Sequence, residues 1–139
     1  MTVFAFDRDH TVDVSPHPEH RTVPLSWVTH LARETDHEVW AHGNQRLVEE
    51  ASIPGIQELI RRRDGEWYDR IGGRADEYHE EWPSRRERLR MIEDVVPDAD
   101  DYVAVDDADL SDVSGWTHYF AWDFVDAVEA GRIDLDLPP

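Results

Sequence analysis

Asp7 and Asp9 stand two residues apart in Asp7-Arg8-Asp9-His10-Thr11, and an adjacent pair, Asp106-Asp107, comes late in the chain. Two carboxylates at that spacing can share a divalent cation, or divide the work of a nucleophile and a general acid. An ionised carboxylate at Asp7 can attack an electrophile. A carboxyl at Asp9 that changes its proton affinity during the reaction can protonate a leaving oxygen and later activate water. Thr11 can hold the turn or hydrogen-bond Asp9. An acidic pocket of this kind suits Mg²⁺, which prefers oxygen ligands in octahedral geometry and keeps waters until a substrate phosphate displaces them. In such a pocket the ion screens the carboxylates from phosphate.

Both acidic groups follow apolar segments. Val3-Phe4-Ala5-Phe6 reads as a buried strand delivering Asp7 into a turn, and Tyr102-Val103-Ala104-Val105, within a strand over 101–105, delivers Asp106 and Asp107. Ligands of open α/β sheets bind beyond the carboxyl ends of the strands, where both groups would lie. Thr11 to Val23 carries Pro16 and Pro18 and reads as a loop or short flap. Pro24 opens a helix with Leu25, Val28, Leu31 and Ala32 on one face, and Glu38–Ala41 is a second strand that ends in His42-Gly43-Asn44. Leu47, Val48 and Ala51 suggest a short helix, and Pro54 begins another through Ile56, Leu59 and Ile60. Residues 64–83 read as an irregular connection. Ser84 with Glu87 forms a capping-box pattern for a helix to about Val96, whose buried stripe is Leu89, Ile92, Val95 and Val96. A strand near Trp116–Tyr119 and a helix near Asp123–Ala130, stopped by Gly131, complete the pattern. The tail Arg132–Pro139 packs through Ile133, Leu135 and Leu137 or frays. Strands alternating with helices predict an α/β, Rossmann-like three-layer domain with a mainly parallel sheet covered on both faces.

A chain of 139 residues is expected to form one domain, 1–139, with roughly 68% of its extended surface removed from water. It has no cysteine, which excludes disulfides, a thiol nucleophile and a thiolate zinc site. No apolar run approaches membrane-spanning length and no cleavable leader is evident, so a soluble, cytoplasmic protein without membrane partners is expected. Thirty-two acidic residues against fourteen basic ones, all arginine, give a formal net charge of -18. Such a field disfavours nucleic acid at ordinary salt. The acidity is spread along the chain and resembles that of proteins from salt-accumulating halophilic archaea. In concentrated salt the Debye length falls to about 3 Å, and net charge then says little about partners.

Asp7-Arg8-Asp9-His10-Thr11 matches the DxDxT motif of the haloacid dehalogenase-like superfamily, and the chain resembles its small capless phosphatases. The resemblance spans about residues 3–131. It implies a Mg²⁺-dependent phosphomonoester hydrolase working through an aspartyl-phosphate, with Asp7 as nucleophile. Asp9 is then general acid/base and offers its main-chain carbonyl to the metal. Val103-Ala104-Val105-Asp106-Asp107 is similar to the family's fourth motif, with Asp107 the metal-binding carboxylate and Asp106 and Asp112 supporting it. Where the family places a Ser or Thr hydroxyl after the second strand, this chain has His42, whose nitrogen can donate to phosphate or whose size can disable the site. The family's Lys has no counterpart in a chain without lysine, so Arg85, ahead of Arg86, is the expected phosphate-site cation. No large cap is expected, because residues 64–83 are too few. The open pocket then admits a phosphorylated small molecule or an exposed phosphate on a larger substrate.

The same residues also allow a catalytically silent phosphate- or protein-binding domain, which His42 favours. A carbon–halogen or carbon–phosphorus hydrolase has less use for this acid and metal arrangement. His10, His17, His20, His42 and His118 invite a zinc reading, but the prolines around His17 and His20 argue against one helical face, and loop or surface positions are expected for that pair. His10, at the motif's variable position, can shape substrate access. Trp27, Trp40 and Trp122 read as core or core-edge residues, and Trp67, Tyr68 and Trp82 as either pocket-lining or packed.

Overall fold

The computed structural model describes residues 1–42 and 84–138. The expected helices through Leu47–Ala51 and from Pro54, the connection at 64–83 with its aromatic residues, and the size of any cap lie outside the described residues.

Val3, Phe4, Ala5 and Phe6 are consecutive and all buried, which a strand achieves only when both faces of its sheet are covered. They form β1 (Thr2–Phe6), an interior strand of a sheet that continues with β2 (Glu38–Ala41), β3 (Asp101–Asp106) and β4 (Thr117–Phe120). All pairings are parallel and the order is β2-β1-β3-β4. The described part is therefore α/β with an all-parallel four-stranded sheet and three helices, consistent with a Rossmann-like fold. From β1 the chain steps to one neighbour, β2, and later returns to the other side as β3. That reversal makes the carboxyl ends of β1 and β3 the switch point, where loops diverge and leave a crevice.

The helices are α1 (Leu25–Glu34), α2 (Arg85–Val95) and α3 (Ala121–Glu129). Phe4 and Phe6 share one face of β1 and meet Phe124 of α3 edge-on, with ring centroids 6.3 and 5.9 Å away. Each such buried ring contributes about 2–3 kcal/mol by leaving water. Ser84 and Glu87 complete the capping box reciprocally, so α2 begins at Arg85 and the side chain of that residue is fixed at a helix start. Leu89, Ile92 and Val96 are buried as the stripe predicts and Val95 only partly so, but Arg88 is buried too, which no apolar pattern announces. At the end of α3, Gly131 takes φ +78°, its N–H bonds to Val128 O, and Arg132 N–H reaches Ala127 O, 2.9 Å away. Those two bonds make a Schellman motif, for which glycine is the least strained residue.

The last strand and helix begin differently from the sequence reading. The strand lies one residue later, and α3 starts at Ala121, because Phe120 serves as both the end of β4 and the helix N-cap. The tail packs, with Leu135 buried and Ile133 and Leu137 against the core. Between β1 and α1 the flap is closed at its base by a parallel bridge of Val12 and Val23, both buried. Pro24, the N-cap of α1, has no side chain able to accept a hydrogen bond, and Asp13 Oδ1 instead accepts from the Leu25 N–H at 3.0 Å.

Candidate metal and phosphate site

Three strand ends deliver the site. The Asp7 N–H donates to Val105 O at 3.0 Å, and the His42 N–H donates to Phe6 O at 3.3 Å. Asp7, His42 and Asp106 are thereby pinned to the same sheet edge by backbone pairing before any side chain interacts. Asp7 and Asp106 are buried, and Asp107 is partly so. Among the described residues, Asp7, Asp106 and Asp107 are the group in which each residue offers one carboxylate oxygen within 4.8 Å of the others.

Asp106 is the most heavily engaged of the three. Its Oδ1 accepts from Arg85 at 2.6 Å and from the Ala108 N–H at 2.9 Å, while Oδ2 meets His42 Nε2 at 3.0 Å. Burial alone would raise its pKa. The His42 hydrogen bond and charge, with the Arg85 guanidinium, outweigh burial and hold the carboxyl well below the usual carboxylate range. Asp107 goes the other way, raised first by burial and then by its hydrogen bond to Asp106 and that residue's charge, against weaker lowering by Asp7 and Arg85. Two adjacent carboxylates are thus split, one firmly ionised and one holding its proton more tightly.

Arg85 also lies 3.7 Å from Asp107 Oδ1 and 3.9 Å from Asp7 Oδ2, so one guanidinium faces all three acids. The choice between neighbouring arginines is decided by helical register: Arg86 turns outward to Asp112, at 3.1 Å and on the exposed surface. Asp112, expected to support the metal ligand, is therefore occupied by Arg86 away from the carboxylate group. The Asp9 carboxylate likewise pairs with Arg8 at 3.1 Å and stands outside that group, leaving its main-chain carbonyl as the atom the resemblance would assign to a metal. Thr11 Oγ1 donates to Asp7 Oδ2 at 3.4 Å, and not to Asp9. His42 is fully buried with its Nε2 on Asp106. It braces a carboxylate from inside instead of presenting a donor to the opening, and its Nδ1 has no hydrogen-bond partner among the described residues.

The donors fit a hard divalent cation. All are oxygens, and one of three close carboxylates carries a raised pKa, so a positive ion would relieve a repulsion that is already present. Because both Asp106 oxygens are already engaged, Asp7 and Asp107 are the residues that would hold such an ion, with Asp106 orienting Arg85 beside them.

Sequence reasoning ranked Asp106 as secondary, whereas geometrically it is the hub to which His42, Arg85 and Ala108 attach. The signal was the strand pattern itself. A side chain on the last paired residue of β3 is held by the ladder, and Asp107 is the first to leave it. The reading also missed that His10, His17 and His20 are neighbours. His10 takes φ +62° in the turn after Asp7, placing its Nδ1 3.7 Å from Asp107 Oδ2 and its ring 5.2 Å from that of His17. No described helix is long and apolar enough to cross a membrane. No family model, curated protein or solved structure matches the chain.

Proposed function

We propose that the chain is a Mg²⁺-dependent phosphomonoester hydrolase that works through an aspartyl-phosphate on Asp7. The observation that carries this reading is the juxtaposition of buried Asp7 with Asp107 and Arg85 at the switch point of a parallel sheet. Nucleophile, metal ligand and phosphate-facing cation are then held by separate strands and a helix start. Mg²⁺, when bound by Asp7 and Asp107, would polarise the phosphoryl group and offset the negative charge of the pocket.

Asp7 attacks phosphorus through a carboxylate oxygen, the bond to the ester oxygen breaks, and Asp9 gives that oxygen its proton. In the second half Asp9 takes a proton from water, which attacks phosphorus, frees inorganic phosphate and restores Asp7. Thr11 holds Asp7 from the turn, and Arg85 balances the transferring group. His42, through Asp106, fixes the guanidinium of Arg85 without touching substrate. Substrates are phosphorylated small molecules or exposed phosphates on larger molecules.

The test is turnover of an aryl phosphate with and without Mg²⁺ in concentrated salt, by wild type and Asp7→Asn. Metal-dependent turnover that disappears in Asp7→Asn is expected. A folded wild type inactive on a broad panel of phosphate esters sinks the reading. A second reading, a silent phosphate-binding domain, is favoured by one observation: the 2.6 Å contact commits Arg85 to Asp106, leaving less of its charge for phosphate. Under that reading calorimetry finds phosphate-ester binding with no hydrolysis.

A further inference from the structure

The acidic site continues outward into a row of rings. From Asp107 the row passes to His10, then to His17, whose ring centroid is 4.7 Å from that of His20. His20 stacks on Trp122 at 4.1 Å, and the other partner of Trp122 in the stack is Phe120, 4.9 Å away and nearly parallel. Phe120 and Trp122 flank the carboxyl end of β4, the same sheet edge that carries Asp7 and Asp106. His10 and His20 are exposed and His17 half-buried, so the row faces solvent beside the carboxylates.

Three clustered histidines suggest a transition metal, but the hydrogen bonding of His17 argues otherwise. Its Nδ1 accepts the backbone N–H groups of Glu19 at 3.0 Å and His20 at 3.2 Å. A neutral imidazole with an accepting Nδ1 carries its proton on Nε2. Nε2 of His17 is therefore a donor, unable to ligate a metal. A fixed N–H donor next to a stacked imidazole and indole column matches a planar ring with acceptor atoms on its edge.

Resting on the hydrolase reading, we propose that this row is the leaving-group subsite, and that the substrate is a phosphomonoester bearing a heteroaromatic ring, as in a nucleoside 5′-monophosphate. Spacing favours a ring separated from the ester oxygen by a linker such as a sugar. From Asp107 the row runs 3.7 Å to His10 Nδ1 and then 5.2 Å from the His10 ring to the His17 ring, a reach that suits a ring carried on a sugar better than one attached directly to the ester oxygen.

The experiment compares kcat/KM for a nucleoside 5′-monophosphate and for glycerol phosphate, with Mg²⁺ in concentrated salt, in wild type, His17→Ala, His20→Ala and His20→Phe. Wild type is expected to prefer the nucleotide. His17→Ala and His20→Ala should each lower kcat/KM on it by about tenfold, mainly through KM. His20→Phe should restore the stacking, and rates on glycerol phosphate should be unchanged throughout. Equal wild-type rates on the two esters, or equal losses on both, overturn the subsite and leave the hydrolase reading intact. If wild type hydrolyses neither ester, calorimetric titration with the nucleotide decides: binding weakened in both alanine variants supports the subsite, and absent or unaltered binding overturns it. Stoichiometric Zn²⁺ binding that is lost in both alanine variants also overturns it.

Discussion

The floor of the site and its rim lie at one sheet edge but are built on opposite principles. In the floor, Asp7, Asp106, His42 and Arg85 are positioned by strand ends and by charge-assisted bonds in a buried setting. In the rim, His10, His17 and His20 are positioned by a turn, two backbone hydrogen bonds and ring stacking at the surface. A buried charge left without its partner is costly, whereas an exposed ring removed is replaced by water. The difference separates chemistry, which demands fixed geometry, from recognition, which tolerates substitution.

Experiments that break the floor should give the largest effects. Asp7→Asn is expected to cut turnover by a factor on the order of 10⁴ while leaving the urea midpoint little changed, since the amide keeps the size of the side chain and an oxygen to accept from Thr11. A large drop in that midpoint would mean that Asp7 is structural. Next come His42→Ala and Asp106→Asn, each of which strands a buried partner and should destabilise by about 3–5 kcal/mol. The double variant should lose clearly less than the sum, measured as a coupling energy in denaturant titrations.

Acid titration sharpens the contrast between the two adjacent carboxylates. The depressed pKa of Asp106 contributes stability that is fully present above the ordinary value of 3.8 and is lost as pH falls toward its folded value. The raised pKa of Asp107 contributes in the opposite sense, present below 3.8 and lost as pH rises through its folded value. Asp106→Asn should therefore flatten the loss of stability below about pH 4, and Asp107→Asn should remove a gain seen on approaching that pH from neutrality. Chemical denaturation across the acid range checks both signs. The smallest effect is expected at Arg86, whose exposed pair with Asp112 should be worth less than about 1 kcal/mol, so Arg86→Ala should leave both stability and turnover nearly intact. Arg85→Ala, one residue away, should reduce turnover strongly. Similar losses at the two positions would erase the distinction between floor and surface.

The strands were legible because an interior parallel strand must be apolar at every position, as Val3 to Phe6 are. The capping box at Ser84 and the stop at Gly131 were legible because each is fixed by local backbone chemistry. Asp7 and Asp107 could be paired in advance because both follow apolar strands. The partnership of His42 with Asp106 could not, since it depends on which strands flank β1, and periodicity does not encode strand order. The histidine row was hidden for a related reason. His10 approaches His17 only because its own backbone adopts a left-handed turn, and Trp122 meets His20 only after β4 is laid beside β3.

The tie from Asp13 to the Leu25 amide, with the Val12–Val23 bridge at the base, closes residues 14–22 into an anchored excursion, and Ser15 stitches its start to the site, accepting from the His10 N–H and donating to Val12 O. Such a segment behaves as an exchangeable cassette. Beyond Ser15 its side chains can be rewritten, histidines included, to redirect what the protein grips, while Asp7 stays held by β3 on the far side of the anchor.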